Sequence, residues 1–273
     1  MRGRSLLWGE RTYVMGVVNV TPDSFSRDGA LDPARAAERA AQERDAGADF
    51  IDFGAESTRP GHVPVDVSTE LSRLLPALER FRAADQTSIV SIDTYKPGVF
   101  RRAHAAGGDI LNSIWGLDDA LLDVAVECGT PVIAMHNKAE AIYDNVVDEV
   151  LSYLDRTAQR AVQRGLPREH VIVDPGIGFG KTAEHNITLL GALDRLAALG
   201  FPTLIGTSRK ATIGKLTGRP VTERVFGTLA TVTLAAAAGI DVVRVHDAGA
   251  ARDAVRVTDA IARGWRPDDW STT

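Results

Sequence analysis

The feature that most constrains the fold is a regular alternation of short apolar runs with longer helix-like segments. The apolar runs cover residues 13–18, 50–54, 88–92, 109–111, 131–135, 171–173, 203–206 and 241–245. Strands of a parallel sheet are apolar throughout because both of their faces are buried, and successive strands need a crossover between them. Eight such units predict a (β/α)8 barrel, with an open doubly wound sheet as the alternative that the same alternation permits.

The intervening segments carry the composition and the end signals of helices. The first is typical, because Asp32 stands where a capping residue is needed, Pro33 follows at the first helical position, and Gly47 ends the run. The other predicted helices cover residues 68–83, 97–106, 120–127, 145–164, 184–199, 222–238 and 248–262. Such barrels usually take about 250 residues. We therefore expect one domain over residues 1–273, with a short C-terminal extension at about 264–273.

Charge and cysteine content narrow the possible partners and location. A net charge of -5 gives no electrostatic basis for binding nucleic acid or an anionic membrane. The lone Cys128 excludes an internal disulfide framework and fits a reducing compartment. Residues 1–10 do not read as a signal peptide, and no apolar run reaches membrane-spanning length. These observations predict a cytoplasmic protein without a membrane partner.

Polar side chains recur where the predicted strands end. They are Asn19, Asp52 or Glu56, Asp93, Asn112, Asp174, Ser208 with Lys210, and Arg244 with His246, while Met135 ends the fifth strand. One such group is ordinarily a cap or a loop anchor, and Asp93 fits a helix cap before Lys96 and Pro97. Because the carboxyl ends of barrel strands converge on one mouth, their joint recurrence indicates a binding site.

The glycine-rich segment 174–182 resembles a phosphate loop, but its spacing is wrong. A P-loop has four residues between its first glycine and the Gly-Lys pair, whereas Gly176 and Gly180 leave three. The alternating glycines do not follow the G-x-G-x-x-G dinucleotide pattern either. Asp174 must therefore serve another ligand, with Lys181 as a loop anchor.

The chemistry of the strand ends divides into two groups. Asp93, Asn112 and Asp174 suit a flat heterocycle with N–H donors beside ring nitrogens and a carbonyl. The cationic residues are Arg59, Lys210, Arg244 and His246, and barrels often bind an anion near strands seven and eight. The sequence thus predicts a ligand with a polar ring and an anionic group.

Six segments, in order along the chain, together resemble the dihydropteroate synthase family of the pterin-binding barrel superfamily. They are residues 15–26, 54–61, 91–94, 174–181, 208–210 and 244–247. That family joins p-aminobenzoate to a dihydropterin methyl diphosphate, releasing diphosphate and forming dihydropteroate for folate synthesis. The resemblance implies an S_N1-like substitution, a Mg²⁺ cofactor and a homodimer. Apolar positions on helix 222–238 would suit such a dimer, although residues that face the core give the same pattern.

The resemblance also implies a role for each site residue. The pterin would contact Asp93, Asn112, Met135, Asp174, Gly206 and Lys210. The p-aminobenzoate pocket would contain Phe25, Thr58, Pro60, Phe179 and Ser208, with Lys210 beside them. The diphosphate would bind Arg59, Arg244 and His246, with Asn19 as a Mg²⁺ ligand. Catalytic roles fall to Lys210, Asp28, Arg244 and His246.

Two departures from the family pattern affect these expectations. Arg27 separates Ser26 from Asp28, which leaves open whether Asp23 or Asp28 is the carboxylate of the first loop that acts. Ser113 follows Asn112 where the family commonly has aspartate. The altered first loop keeps open the alternative of a pterin-binding paralogue without turnover. A methyltetrahydrofolate-corrinoid methyltransferase of the same superfamily is the other alternative. The cationic residues Lys210, Arg244 and His246 argue against it, because methyl transfer has no diphosphate to bind.

Overall fold

The computed structural model describes residues 1–3, 5–21, 32–56, 63–267 and 270. These residues form eight parallel strands, each short, apolar and buried along most of its length. The strands are β1 (Tyr13–Asn19), β2 (Phe50–Gly54), β3 (Ile89–Asp93), β4 (Ile110–Ser113), β5 (Val132–Met135), β6 (Val171–Asp174), β7 (Leu204–Ile205) and β8 (Val242–Val245).

The strands close into a barrel. Their order is β6-β5-β4-β3-β2-β1-β8-β7, and a parallel bridge between Val173 and Thr203 joins the two ends. The amide of Val173 also donates to the carbonyl of Pro202 at 2.8 Å. The (β/α)8 prediction is therefore confirmed, and the open doubly wound sheet is excluded. The extent of the domain and its C-terminal extension remains a prediction.

Ten α-helices surround this barrel in the described part of the chain. They are α1 (Pro33–Asp45), α2 (Val67–Ala84), α3 (Pro97–Ala105), α4 (Asp119–Cys128), α5 (Val146–Gln163), α6 (Ala183–Leu190), α7 (Leu193–Ala197), α8 (Ala211–Thr217), α9 (Val225–Ala237) and α10 (Ala248–Ala262). Short 3₁₀ turns cover Arg168–His170 and Val221–Glu223. None of the described helices is long and apolar enough to cross a membrane.

Helices connect the successive strands as predicted, but two details of the helix predictions were wrong. The predicted helix 184–199 is interrupted at Gly191, which ends α6 before α7 begins. The seven-residue α8 was missed, because a helix of two turns carries too little periodicity to recognise. At α1 the signals were read correctly, since the Asp32 carboxylate accepts from the amides of Ala34 and Arg35.

Apolar side chains fill the half of the barrel interior that lies toward the N-terminal ends of the strands, here called the lower half. One residue from each strand contributes, with Met15 added: Tyr13, Phe50, Ile89, Ile110, Ile133, Ile172, Leu204 and Val242. Successive side chains of a strand point to opposite faces, so the residues two and four positions further on also face inward. This apolar layer closes the barrel from below and leaves the polar strand ends at the upper mouth.

Candidate active site

The strand register brings the predicted residues of β1 to β4 side by side at the mouth. Asn19 pairs with Gly54, Gly54 with Asp93, and Asp93 with Asn112. Further round the barrel, Met135 pairs with Asp174. The recurrence of polar strand ends in the sequence thus reflects a real spatial cluster.

Arg244 lies at the centre of an ion-pair network across this mouth. Its Nε donates to Asp52 Oδ2 at 2.7 Å, and its Nη2 lies 3.2 Å from Asp93 Oδ2. Asn112 Nδ2 donates to the two Asp52 carboxylate oxygens at 3.2 and 3.3 Å. The residues predicted to hold pterin and those predicted to hold diphosphate are therefore linked in the free protein.

The sequence did not decide whether Asp52 or Glu56 is the polar residue of the second strand that faces the mouth. The structure separates them. Asp52 has no exposed surface and contacts the mouth residues, whereas Glu56 accepts from Tyr95 Oη at 2.7 Å and pairs with Lys96. The predicted end of the strand could have identified Asp52, which lies within the strand two residues after the inward-facing Phe50, whereas Glu56 lies beyond Gly54.

Asp93 does not cap the following helix, so that interpretation was wrong. The N-terminal cap of α3 is Lys96, and its side chain makes no capping hydrogen bond. Instead the Asp93 carboxylate faces Arg244. Burial, followed by the negative charge of Asp52, raises the pKa of Asp93, against the opposing effect of Arg244.

Asp174 and Lys210 occupy the opposite side of the mouth. Asp174 Oδ1 accepts from the Gly176 amide at 2.7 Å, and burial raises the pKa of this carboxyl while Lys210 opposes the rise. Lys210 Nζ donates to the Ile177 carbonyl and lies 4.5 Å from the centre of the Phe179 ring. Burial lowers the pKa of Lys210 to about 8. The ammonium is thus held beside both the predicted pterin ligand and the predicted arylamine wall.

Gly206 keeps the surface between two cationic side chains open. A Cβ placed on Gly206 would lie 3.8 Å from Arg244 Cβ and 4.0 Å from Lys210 Nζ. The residue therefore offers bare backbone at the point where these side chains approach each other. A flat ring can lie against such a surface.

The glycine-rich loop is anchored to the protein through Lys181 and Thr182. Lys181 Nζ lies 3.0 Å from His136 Nδ1 and donates to the Phe179 carbonyl at 3.0 Å. Thr182 caps α6 by accepting from the His185 amide at 3.1 Å. Gly176 has φ +68, and a Cβ there would overlap the His136 carbonyl oxygen. The loop geometry thus agrees with the anchoring role predicted for Lys181.

His246 and Ser208 form a pair at the ends of β8 and β7. His246 Nδ1 lies 3.0 Å from Ser208 Oγ, and the His246 amide donates to the same oxygen at 3.2 Å. Burial, with the charges of Arg244 and Arg209, lowers the pKa of His246 to about 4. The expectation of a cationic His246 therefore does not hold in the free protein at neutral pH. Arg209 itself has φ +58 and pairs with Asp247 at 2.6 Å, a link that the sequence did not suggest.

Several predicted residues lie outside the part of the chain that the structure describes. They are Phe25, Asp28, Thr58, Arg59 and Pro60, together with Asp23 and Arg27. Their predicted contacts with the arylamine and the diphosphate stay predictions.

The described residues include one candidate ligand, Asn19, for the predicted Mg²⁺ ion. No group of three or more His, Cys, Asp or Glu side chains in this part of the chain could hold a metal by itself. Asn19, at the end of β1, supplies one amide oxygen at the mouth. Mg²⁺ is usually bound by one or two protein oxygens, with substrate phosphates and water completing the shell. Asn19 is therefore compatible with an ion that arrives on a diphosphate.

Comparison with known proteins agrees with this geometry. The pterin binding enzyme family matches residues 15–246. The chain is 42% identical over 259 residues to the dihydropteroate synthase of Clostridium beijerinckii, covering 93% of this chain and 96% of that one. The chain belongs to the pterin-binding enzymes and, within them, to the dihydropteroate synthases.

Solved structures of dihydropteroate synthases share the fold closely. The Clostridium difficile enzyme, crystallised in the presence of pteroic acid, superposes with a TM-score of 0.91 at 40% identity, covering 95% of this chain and 100% of that one. The Xanthomonas albilineans enzyme with 4-aminobenzoic acid gives a TM-score of 0.89 at 42% identity, covering 93% and 94%. The family assignment made from the six sequence segments is confirmed.

Proposed function

We propose that this chain condenses p-aminobenzoate with 6-hydroxymethyl-7,8-dihydropterin diphosphate, giving 7,8-dihydropteroate and diphosphate. The observation that carries the proposal is the joint presence, in one mouth, of Asp93, Asn112 and Asp174 with Lys210 and Arg244. Such a mouth matches a ligand that joins a polar ring to an anionic leaving group. The near full-length similarity to dihydropteroate synthases supports the same reaction.

The pterin is proposed to lie across the mouth between the two carboxylate groups. Asp174 accepts from the guanidine-like edge of the ring, and Asn112 and Asp93 pair with the remaining polar edge atoms. Lys210 donates to a ring acceptor, while Gly206 and Met135 provide flat and apolar contact. Each polar edge atom of a desolvated heterocycle needs such a partner, because an unpaired one weakens binding.

The diphosphate leaves with the electron pair of the bond to the pterin methylene carbon. Arg244, Arg59 and a hydrogen bond from His246 stabilise the charge that develops on the leaving oxygen. Asn19 would hold Mg²⁺, and the ion would supply further charge neutralisation when bound. The methylene cation is stabilised by conjugation with the electron-rich pterin ring, which makes the substitution S_N1-like.

The arylamine nitrogen then forms the new C–N bond, and the proton that it loses passes to the departing diphosphate. We propose that p-aminobenzoate lies between Phe25, Thr58, Pro60, Phe179 and Ser208, with Lys210 beside it. Asp28 is the proposed carboxylate that stabilises the methylene cation. Water must be excluded from this pocket because it would also react with that cation. Phe179, half-buried and stacked under Lys210, contributes to this exclusion.

Turnover with defined substrates tests the proposal. The purified protein, given Mg²⁺, the dihydropterin diphosphate and p-aminobenzoate, is expected to release diphosphate and form dihydropteroate. Pterin binding without diphosphate release would refute synthase activity and leave a non-catalytic paralogue. A sulfonamide is expected to compete with p-aminobenzoate. Failure to compete would indicate a different arylamine pocket around Ser208.

We further propose that the protein is a cytoplasmic homodimer. The surface of α9 and α10 exposes Phe226, Leu234, Val257 and Ile261, with 82, 61, 62 and 81% of their areas accessible. Between these helices lies a groove of about 730 Å³ lined mainly by apolar side chains. A second copy of the chain would bury this surface, since exposed apolar patches commonly mark interfaces. The single half-buried Cys128 is compatible with a reducing compartment.

A further inference from the structure

Asp52 is a fully buried carboxylate whose hydrogen bonds go to residues of the mouth. It accepts from Arg244 Nε at 2.7 Å, and Arg244 Nη2 lies 2.6 Å from the same oxygen. It also accepts from Asn112 Nδ2 at 3.2 and 3.3 Å. Its register neighbour on β3, Ser91, has a buried hydroxyl that makes no hydrogen bond within the described residues. Asp52 therefore does not serve this neighbouring hydroxyl.

These bonds determine how each partner can face a ligand. With Nδ2 of Asn112 directed at Asp52, the amide oxygen is directed away and stays available as an acceptor. Without the carboxylate, the amide could rotate and exchange its oxygen and nitrogen. The Arg244 guanidinium is planar, so a bond at Nε together with one at Nη2 fixes the plane in which the remaining N–H groups point.

The connection spans the two halves of the proposed substrate. Asn112 is a proposed pterin ligand, and Arg244 is a proposed diphosphate ligand. Asp52 contacts both from below, and Arg244 also contacts Asp93, the second pterin ligand on that side. A movement of either side chain is therefore transmitted to the other through one carboxylate.

We propose that Asp52 is a positioning residue that fixes the amide of Asn112 and the guanidinium of Arg244 in one arrangement, so that pterin and diphosphate are recognised together. The inference rests on the proposed function and deepens it, because it assigns a role to a side chain beneath the substrate site. A merely structural Asp52 would stabilise the fold without affecting how the two ligands bind.

Asp52→Asn tests this role, because it keeps the size of the side chain and removes its charge and one acceptor. The probes are 6-hydroxymethylpterin and inorganic diphosphate with Mg²⁺, each measured by calorimetry on the full chain. Each Kd is expected to rise about 10- to 100-fold, the loss associated with a charged hydrogen bond. The KM for p-aminobenzoate is expected to stay within about twofold, which separates lost positioning from a general loss of structure.

Asp49→Asn is the matched control. Asp49 lies three residues earlier, has a side chain that is 11% exposed, and pairs with Arg11 at 2.7 Å at the opposite end of the barrel. Its substitution removes a similar ion pair, so the protein should lose stability while both ligands bind as in the wild type. Equal binding by the Asp52→Asn and Asp49→Asn variants would overturn the proposal.

A double-mutant cycle gives a readout that a structural role would not change. The effects of Asn112→Ala and Arg244→Lys on the free energy of ligand binding are expected to be non-additive in the wild type. The same two effects should be additive in the Asp52→Asn background. The same degree of coupling in both backgrounds would overturn the proposal. If Asp52→Asn does not fold, Asp52→Glu replaces it: the charge remains but is displaced by one methylene, and unchanged ligand binding would again refute positioning.

The wild-type protein separates this inference from the proposed function. If the wild type releases no diphosphate from the complete substrate mixture, the synthase reaction fails whatever the variants do. If the wild type turns over and Asp52→Asn is unaltered in ligand binding and kcat/KM, only the role of Asp52 fails.

Discussion

Gly178 holds the chain where it passes Lys210, and its replacement by alanine should displace that lysine. Gly178 has φ +81, and a Cβ there would lie 2.9 Å from Lys210 Cδ, closer than side-chain carbons normally approach. Lys210 cannot move without cost, because its ammonium donates to the Ile177 carbonyl and stacks on Phe179. The substitution therefore combines backbone strain with loss of a placed cation.

Gly129→Ala separates these two contributions. Gly129 follows α4 with φ +62, and nothing lies within 4 Å of the position of its Cβ. A left-handed alanine costs about 1–2 kcal/mol, so Gly129→Ala should lower the free energy of unfolding by that amount. Gly178→Ala should lower it by about 1.5–3 kcal/mol more, the value of a hydrogen bond to a charged group. In a chain of this size, each kcal/mol corresponds to about 2–4 °C in Tm.

Steady-state kinetics with thermal unfolding of both variants provide the measurement. Gly129→Ala should turn over like the wild type. Gly178→Ala should lose about 100-fold in kcat/KM for the pterin diphosphate, since a displacement of about 1 Å in a substrate-positioning group can have that effect. Two variants with equal stability and equal kinetics would refute the conclusion that Lys210 must keep this position.

Four further perturbations test the site and the surface. Lys210→Ala should abolish turnover with the fold intact by circular dichroism, and near-normal turnover would remove Lys210 from the site. Because the pKa of Lys210 is lowered to about 8, its ammonium loses a proton as pH rises through that value. Wild-type kcat/KM should therefore fall above pH 8, and Lys210→Arg should lack this alkaline limb. Gly206→Ala fits the free protein, so Tm should hold while the added methyl weakens pterin binding in calorimetry; unchanged affinity would place the ring elsewhere. Ile261→Asp should convert the proposed dimer to a monomer in sedimentation, and an unchanged mass would contradict the α9–α10 interface.

The barrel could be predicted because its information is local and repeated. Each strand is an apolar run, and the end signals of helices such as α1 are carried by neighbouring residues like Asp32 and Pro33. Eight repetitions then restrict the topology to very few folds. The details that failed, such as the break at Gly191 and the short α8, depend on tertiary packing over one or two turns.

The contacts of the site could be predicted only in part, because they depend on side-chain pairing across the barrel. Strand-end position correctly indicated that Asp93, Asn112 and Asp174 lie at one mouth. It did not indicate that Arg244 pairs with Asp93, since the two residues are separated by 151 positions in the chain. Nor did it distinguish Asp52 from Glu56, because the exact end of β2 decides their roles: Asp52 lies within the strand, and Glu56 lies beyond its last residue, Gly54.

Without a ligand, the barrel mouth carries less positive charge than its basic residues suggest. This affects how the leaving group is stabilised. The pKa of His246 is lowered to about 4, so the imidazole is neutral at pH 7, and the charge of Arg244 is shared with Asp52 and Asp93. A diphosphate beside His246 favours the protonated form and raises this pKa, because a nearby opposite charge stabilises the imidazolium. Diphosphate binding should therefore be linked to proton uptake. We propose that the positive charge that the departing diphosphate needs is assembled as the substrate binds.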